Sequence, residues 1–314
     1  MNKVIETDNL TKKYPAGVGC SEICLSVNEG QIFGFLGPNG AGKSTFVKIL
    51  VSLLKPTSGA AQVLGRPLGD LSARRRIGFL PEQFRYQEWL TGEELLRFHA
   101  SLCGLGRHAG RPAVARALEM VGLRGRERGK IRTYSKGMQQ RIGMACAILA
   151  DPDLVFLDEP TSALDPIGRR EVREIILQLK QAGKTVFLNS HLLSEVEMVC
   201  DEVAVIKAGR IVAAGSLAQL LGGQIEVEIQ AEGLTPELEA GLNGIAPLFR
   251  VEGNRLRVRL ADREQIPRMV ALITAHGGRI YSLVPRQRSL EDLFVELIER
   301  REVSQGVDDR RHHL

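Results

Sequence analysis

The sequence predicts an α/β fold built on a parallel β-sheet, followed by a smaller α+β domain. Three short apolar runs, at residues 32–36, 154–157 and 185–188, have the length and continuity of buried parallel strands. After residue 224 the pattern changes to strict alternation of apolar and polar residues, which is typical of half-buried strands. A chain of 314 residues is long enough for about two domains.

Charge is distributed unevenly along the chain, whose net charge is +5. Residues 1–224 carry 29 basic and 22 acidic side chains, whereas the remainder carries 13 arginines, no lysine and 15 acids. This distribution argues against a basic domain for binding nucleic acid.

The sequence also lacks the signals of secretion and of membrane insertion. Its first residues are mixed and polar, and no run of about 18 apolar residues predicts a membrane span. The five cysteines are odd in number and scattered, which favours reduced thiols in a cytosol.

The strongest motif is a glycine-rich loop, GPNGAGKST, between the first apolar run and a helical pattern. Its spacing is that of a phosphate-binding loop, in which glycines let backbone N–H groups converge on an anion at a helix start. We expect Lys43 to reach the β- and γ-phosphates and Ser44 to bind Mg²⁺. The residues predicted to bind nucleotide here are Gly37, Pro38, Asn39, Gly40, Ala41, Gly42, Lys43, Ser44 and Thr45.

Polar residues follow the other two apolar runs, residues 154–157 and 185–188. Asp158 and Glu159 follow one run, and their side chains point in different directions because side chains alternate along a strand. Asp158 is therefore predicted to bind the metal, and Glu159 to act as the general base for water that attacks the γ-phosphate. A solvated pair of acids is the alternative. His191 ends the last run, where a parallel sheet places ligand-binding residues.

Taken in order, these motifs resemble those of the ATP-binding subunit of an ABC transporter, over residues 1 to about 220. The resemblance implies that Tyr14 stacks on adenine and that Gln83, in FLPEQ, is the Q-loop glutamine, with a catalytic and metal-binding role. It implies that Glu159 is the catalytic glutamate and His191 the switch histidine. SALD, residues 162–165, resembles the D-loop.

The segment YSKGMQQR resembles the signature motif of this family, usually LSGGQ. In the family, two ATPase domains pack head to tail, and the signature of one contacts the γ-phosphate in the other. The resemblance therefore implies a homodimer or a paired ATPase subunit, with contacts from Ser135 and the backbone of Gly137. Lys136 and Met138 depart from the usual pattern. Lys136 either adds charge near the nucleotide or faces solvent.

Residues 1–222 are predicted to form the ATP-binding domain, with an antiparallel β subdomain and a helical subdomain at about residues 84–150. Within the helical subdomain, Thr91 and Glu94 have the spacing of a capping box. Trp89, the only tryptophan, is either a contact for a membrane partner or a core anchor.

Residues 223–302 are predicted to form the α+β accessory domain, and residues 303–314 a disordered tail. In this domain IEVEIQ and RLRVRL are predicted strands with one apolar and one charged face. If the two strands are neighbours, acids on the first face arginines on the second. A helix capped by Ser289 is expected near the end.

The resemblance implies an ATPase with ATP and Mg²⁺ as cofactors. It is expected to drive export through a separate integral membrane permease, at the cytoplasmic face of the membrane and without nucleic acid. A soluble ABC ATPase acting on ribosomes or DNA is the alternative. Transport is favoured because the chain has neither a second ATPase domain nor a long coiled-coil or zinc insertion. The transported substrate cannot be inferred.

Overall fold

The structure is a computed structural model that describes residues 2–15, 17–222, 225–233, 238, 241–242, 248–287 and 289–298. It separates into two compact units, Met1–Ser216 and Leu217–Leu314. The predicted domain boundary, after residue 222, lies a few residues beyond this division of the chain. The predicted disordered tail, residues 303–314, lies outside the described residues. Among the described residues, no helix is both long enough and apolar enough to cross a membrane.

The first unit contains most of the regular structure. Its strands are β1 (Lys3–Tyr14), β2 (Gly17–Asn28), β3 (Ile32–Leu36), β4 (Ser58–Val63), β5 (Arg66–Pro67), β6 (Ile77–Leu80), β7 (Leu154–Asp158), β8 (Thr185–Ser190), β9 (Glu202–Lys207) and β10 (Arg210–Ser216). Its helices are α1 (Lys43–Leu50), α2 (Leu71–Arg74), α3 (Gly92–Leu102), α4 (Arg107–Met120), α5 (Lys136–Ile148), α6 (Pro166–Gln181) and α7 (Leu193–Val199).

Two sheets organise this unit. The larger has six strands in the order β10-β9-β3-β8-β7-β6, of which only β10 runs antiparallel to its neighbour. Every residue of β3, β7 and β8 is buried, as the continuous apolar runs predict. The smaller sheet is antiparallel, in the order β2-β1-β4-β5. The predicted α/β core and antiparallel subdomain are therefore confirmed.

A helical region, α3 to α5, lies between β6 and β7 in the chain. Thr91 caps α3, and the reciprocal bonds between Thr91 and Glu94 form the predicted capping box. The side chain of Trp89, just before this helix, is 71% exposed. Trp89 is therefore not a core anchor.

The core of the first unit is centred on Phe187 of β8. Its ring centroid lies 5.3 to 6.2 Å from those of four other phenylalanines, namely Phe33, Phe35, Phe46 and Phe156. These rings belong to the central strands β3 and β7 and to helix α1, so the cluster fixes α1 against the sheet. The phosphate loop joins β3 to α1, and this packing therefore also holds the two ends of the loop.

The second unit is an α+β domain, as expected. It contains α8 (Leu217–Leu221), β11 (Ile225–Glu232), β12 (Leu248–Glu252), β13 (Arg255–Leu260), α9 (Gln265–Ala275), β14 (Arg279–Gln287) and helix α10, residues 290–298. Its antiparallel sheet has the order β12-β13-β11-β14. The apolar face of β11 and β13 is buried with Met269 and Ile273 of α9. Ser289 caps α10 by accepting a hydrogen bond from the backbone of Asp292.

The charged face of this sheet differs in one respect from the expectation. β11 and β13 are neighbours, and Glu228 lies opposite Arg257 as expected. Among the described residues, however, the ion pair of Glu228 is with Arg286 on the other neighbour, β14, at 3.5 Å. A carboxylate on a central strand has a possible partner on each flanking strand, and the Glu228 carboxylate pairs with the arginine on β14.

We expect Phe187→Ala to destabilise the first unit, because it removes the ring that contacts four others and leaves a cavity. The loss should be about 3–5 kcal/mol, which corresponds to a fall of roughly 6–20 °C in the unfolding midpoint. Thermal unfolding followed by circular dichroism measures it. Phe98→Ala is the matched control, since Phe98 is 48% exposed. Equal shifts for the two variants would contradict the central role of Phe187.

Candidate functional site

The phosphate loop lies between β3 and α1 in a conformation that only glycine permits at two positions. Gly42 has φ 102°, and a Cβ there would lie 1.8 Å from the carbonyl oxygen of Gly19. A Cβ on Gly37 would lie 2.3 Å from the carbonyl oxygen of Ile206. The loop is therefore packed directly against the backbone of β2 and β9, and its shape is fixed by these close approaches.

Lys43 is folded back over this loop. Its Nζ donates hydrogen bonds to the carbonyl oxygens of Gly37, at 2.7 Å, and Pro38, at 3.2 Å. Burial lowers the pKa of Lys43, and the negative charges of Glu159 and Asp158 oppose this shift. The ammonium group is thus positioned between the loop and two acids, where a phosphate can bind to it.

Asp158, at the end of β7, faces the start of α1. Its Oδ1 accepts hydrogen bonds from Ser44 Oγ, at 3.4 Å, and from Asn189 Nδ2. Asn189 lies directly opposite Asp158 in the pairing of β7 with β8. Burial is the main cause that raises the pKa of Asp158, and these two hydrogen bonds oppose it. Sequence reasoning missed Asn189, although its place at the end of a predicted parallel strand marks it as a candidate.

Glu159 and His191 are joined by a hydrogen bond of 2.7 Å between Glu159 Oε2 and His191 Nδ1. Glu159 is a non-glycine residue with φ 52°, and its N–H donates to the carbonyl oxygen of Asn189 at 2.8 Å. Such backbone strain persists only where the surroundings hold it, and it is common at functional sites. Burial raises the pKa of Glu159, and the His191 contact opposes that shift.

Of these side chains, those of Lys43, Ser44, Glu159 and His191 line one open pocket of about 400 Å³, and Asp158 contacts Ser44 without lining it. The pocket lies at the carboxyl ends of the parallel strands, where α/β sheets bind their ligands. The residues that line it are Gly19, Asn39, Gly40, Gly42, Lys43, Ser44, Thr45, Glu82, Glu159 and His191.

Several residues expected at the site lie outside this lining, namely Tyr14, Gly37, Pro38, Ala41, Gln83 and Asp158. Gln83 is exposed and does not line the pocket, whereas the preceding residue, Glu82, does. Tyr14 is 40% exposed and does not line the pocket either. Its ring nevertheless lies beside Gly19, where an added Cβ would come within 2.7 Å of it.

The signature residues are also outside the pocket of their own chain. Ser135 caps α5, and its Oγ accepts a hydrogen bond from the backbone of Met138 at 3.2 Å. Lys136 is exposed in the first turn of the same helix. Ser135 and Lys136 are therefore exposed at the start of α5, and neither lines the pocket of its own chain.

The chemistry of the donor set suits Mg²⁺. Ser44 and Asp158 offer hydroxyl and carboxylate oxygens, which are the ligands that Mg²⁺ prefers. Among the described residues, no group of three His, Cys, Asp or Glu side chains is placed to hold a metal ion alone. Magnesium sites of this kind use one or two carboxylates and complete the coordination with substrate phosphates and water, so the residues present fit the ion.

Comparison with known proteins identifies the family. The model of the family described as "ABC transporter" matches residues 20–162. An uncharacterized ABC transporter ATP-binding protein of Nostoc sp. is 41% identical over 96% of this chain and 91% of its own length. The Nod factor export ATP-binding protein I of Cupriavidus metallidurans is 34% identical over 95% of this chain and 98% of its own length.

A solved structure agrees with this assignment. The dimeric structure of an ATP-binding cassette in a post-hydrolysis state, bound to ADP and Pi, has a TM-score of 0.61 at 27% identity. The match covers 68% of this chain and 98% of that one. The chain therefore belongs to the ATP-binding proteins of ABC transporters, which are ATPases, and its phosphate loop, Glu159 and His191 lie in one pocket.

Proposed function

We propose that this chain drives export through a separate integral membrane permease, at the cytoplasmic face of the membrane. The relative named for Nod factor export aligns with 95% of this chain, so the similarity extends through both units. That extent supports a shared role in export for the whole chain, and not only a shared ATPase domain.

The observation that carries the ATPase role is the pocket that gathers Lys43, Ser44, Glu159 and His191. We assign the phosphates to the loop of residues 37–45 and to Lys43, and the adenine to Tyr14, which lies at the edge of the pocket beside Gly19. Mg²⁺ would be held by Ser44 and Asp158, and when bound it neutralises charge on the β- and γ-phosphates.

Hydrolysis requires a base for the attacking water, and Glu159 is placed for that role. It accepts a proton from the water as the water oxygen bonds to the γ-phosphorus and the bond from this phosphorus to the bridging oxygen of ADP breaks. His191 holds the Glu159 carboxylate through the 2.7 Å hydrogen bond and so orients it in the pocket.

The site is completed by a second ATPase chain, identical or paired. Ser135 and Gly137 lie outside their own chain's pocket, and a similar protein with ADP and Pi is dimeric. A head-to-tail pair would bring the Ser135 hydroxyl and the N–H groups at the start of α5 to the γ-phosphate of the partner, which is the kind of ligand a helix start favours.

We expect Glu159→Gln to lower ATP turnover by roughly 10²–10⁴-fold, the usual contribution of a positioned base. ATP binding should persist, because the loop and Lys43 are unchanged, and the ATP-bound dimer should become long-lived. Single-turnover ATPase assays and size-exclusion chromatography with ATP measure these effects. Near-wild-type hydrolysis in the variant would remove Glu159 from the role of base.

We expect hydrolysis to need Ser135 in trans. A Lys43→Ala chain and a Ser135→Arg chain are each impaired, but a mixed head-to-tail dimer keeps one site with an intact phosphate loop and an intact signature. Mixing the two should therefore raise the activity above that of either variant alone. Activity that stays proportional to protein concentration where only monomers are present with ATP would contradict the dimeric site.

Export is distinguished from the ribosome or DNA alternative by what stimulates the ATPase. Turnover is measured with membrane vesicles from cells that produce this chain, with ribosomes and with DNA, each at matched concentration. We expect stimulation by the vesicles alone, and Glu159→Gln serves as the control for contaminating ATPases. Stimulation by ribosomes or DNA, without an effect of vesicles, would contradict the proposed function.

A further inference from the structure

A second open pocket lies in the helical region, between the end of α3 and the start of α4. Its volume is about 640 Å³. Arg97, Arg107, His108 and Arg111 line it, and none of the described acidic side chains does so. We call it the basic pocket. Its described lining has no residue in common with that of the nucleotide pocket, so a ligand here would bind separately from ATP.

An adjacent pocket shows how the same arginines are balanced where acids are present. It has a volume of about 360 Å³ and shares Arg97 and Arg111 with the basic pocket, but Glu93, Glu119 and Glu127 also line it. Positive and negative side chains therefore meet in the adjacent pocket. In the basic pocket the positive charge has no such counterpart in the lining, which favours an anion as ligand.

The arginines of the basic pocket differ in their partners. Arg97 forms an ion pair with Glu93 at 2.6 Å. Within the part of the chain that the structure describes, Arg107 and Arg111 form no ion pair, and both are exposed. A guanidinium group presents several N–H donors in a geometry that matches the oxygens of a phosphate. Arg107 and Arg111 are therefore the groups available to bind one.

The start of α4 adds to the attraction for an anion. Its N-cap is Gly106, which offers no side-chain acceptor to the first turn, and this turn contains no acid. Arg107 and His108 lie in the same turn, where positive charge opposes the helix dipole. A bound phosphate would relieve this unfavourable arrangement and accept hydrogen bonds from the free N–H groups.

Exposed apolar side chains lie beside the basic pocket. Phe98 and Leu102 of α3 are 48% and 68% exposed, and each follows directly after a residue of the pocket lining, Arg97 and Ser101 respectively. Consecutive residues of a helix are about 100° apart, so a polar and an apolar stripe run side by side along α3. Apolar side chains next to basic ones are typical of surfaces that bind at the membrane interface. A free phosphate ion would make no use of the apolar stripe.

We propose that the basic pocket binds the phosphate group of an anionic membrane lipid, with Arg107 and Arg111 as its ligands. The choice of a lipid as the source of the phosphate rests on the proposed function at the membrane. The surrounding charge supports it, because residues 91–136 carry ten basic and four acidic side chains. Such an excess attracts a protein to an anionic bilayer surface. The chain would thus contact lipid directly, in addition to its permease.

The test measures vesicle binding by the intact chain, without nucleotide and without permease. Vesicles of phosphatidylcholine are compared with vesicles of equal parts phosphatidylcholine and phosphatidylglycerol, and bound protein is separated by flotation. We expect wild type to prefer the anionic vesicles. Combining Arg107→Gln with Arg111→Gln should weaken this binding about 10- to 30-fold, since each basic residue at an anionic surface contributes roughly a factor of five.

Arg116→Gln combined with Arg126→Gln is the matched control. Both arginines are exposed in the same region, and neither lines the basic pocket, so the control removes the same charge from elsewhere. We expect it to weaken vesicle binding clearly less than the pocket variant does. Unchanged unfolding midpoints and MgATP affinities show that both variants are folded. An equal loss in the two, no loss in the pocket variant, or no preference of wild type for anionic vesicles would overturn the proposal.

A further pair of measurements identifies the source of the phosphate. Leu102→Ser should weaken binding to anionic vesicles and leave the affinity for inorganic phosphate, measured by isothermal titration calorimetry, at its wild-type value. If inorganic phosphate binds in a manner that requires Arg107 and Arg111 while Leu102→Ser leaves vesicle binding unchanged, the ligand is a free phosphate and the lipid proposal is wrong.

Failure of the proposed function gives a different result, because that function is tested by ATP turnover and not by vesicle binding. If only ribosomes or DNA stimulate the ATPase, the export role fails, and the lipid vesicles still decide whether the basic pocket binds lipid. If export holds and wild type does not distinguish the two kinds of vesicle, the lipid proposal fails alone.

Discussion

The site depends on the register of three buried parallel strands. Leu36 of β3 pairs with Ser190 of β8, and Asp158 of β7 pairs with Asn189 of the same strand. Because the strands end at one edge, the phosphate loop, Glu159 and His191 come within one pocket, and Asp158 contacts Ser44 of its lining. A slip of one residue would turn the side chains of a strand to its opposite face and take Asp158 away from Ser44.

This arrangement buries charge, and each buried group is held by specific partners. Burial lowers the pKa of Lys43 and raises the pKa values of Asp158 and Glu159, so that in each case it favours the neutral form of the group. Hydrogen bonds offset part of the free-energy cost of burying these charges. Lys43 bonds to a loop carbonyl, Asp158 to Asn189, and Glu159 to His191. Removing one partner leaves another group buried without its bond, so the site behaves as a unit. The Lys43 ammonium group and the N–H groups of the glycine-rich loop are suited to binding phosphate.

The described residues that line the pocket belong to the first unit, and the start of the signature helix α5 is not among them. One chain brings the phosphate loop, Glu159 and His191 together in its pocket. In the proposed dimer, a second chain would provide Ser135 and the start of α5. The sheet of the second unit has an apolar face packed against α9 and a charged face.

Local patterns in the sequence determined the buried strands, the phosphate loop, the Thr91 capping box, the Ser289 cap and the alternating strands of the second unit, because each depends on residues close in the chain. Tertiary structure decided what depends on direction and on distant neighbours. Glu82 and Gln83 are adjacent residues just beyond the end of β6, yet only Glu82 lines the pocket. The position of a motif in the sequence does not predict which of two such neighbours does so. Strand register places Asn189 opposite Asp158. Glu228 forms its ion pair with Arg286 and not with Arg257, and the side chain of Trp89 is exposed. Each of these outcomes depends on which distant segment packs beside the residue, and no local pattern contains that choice.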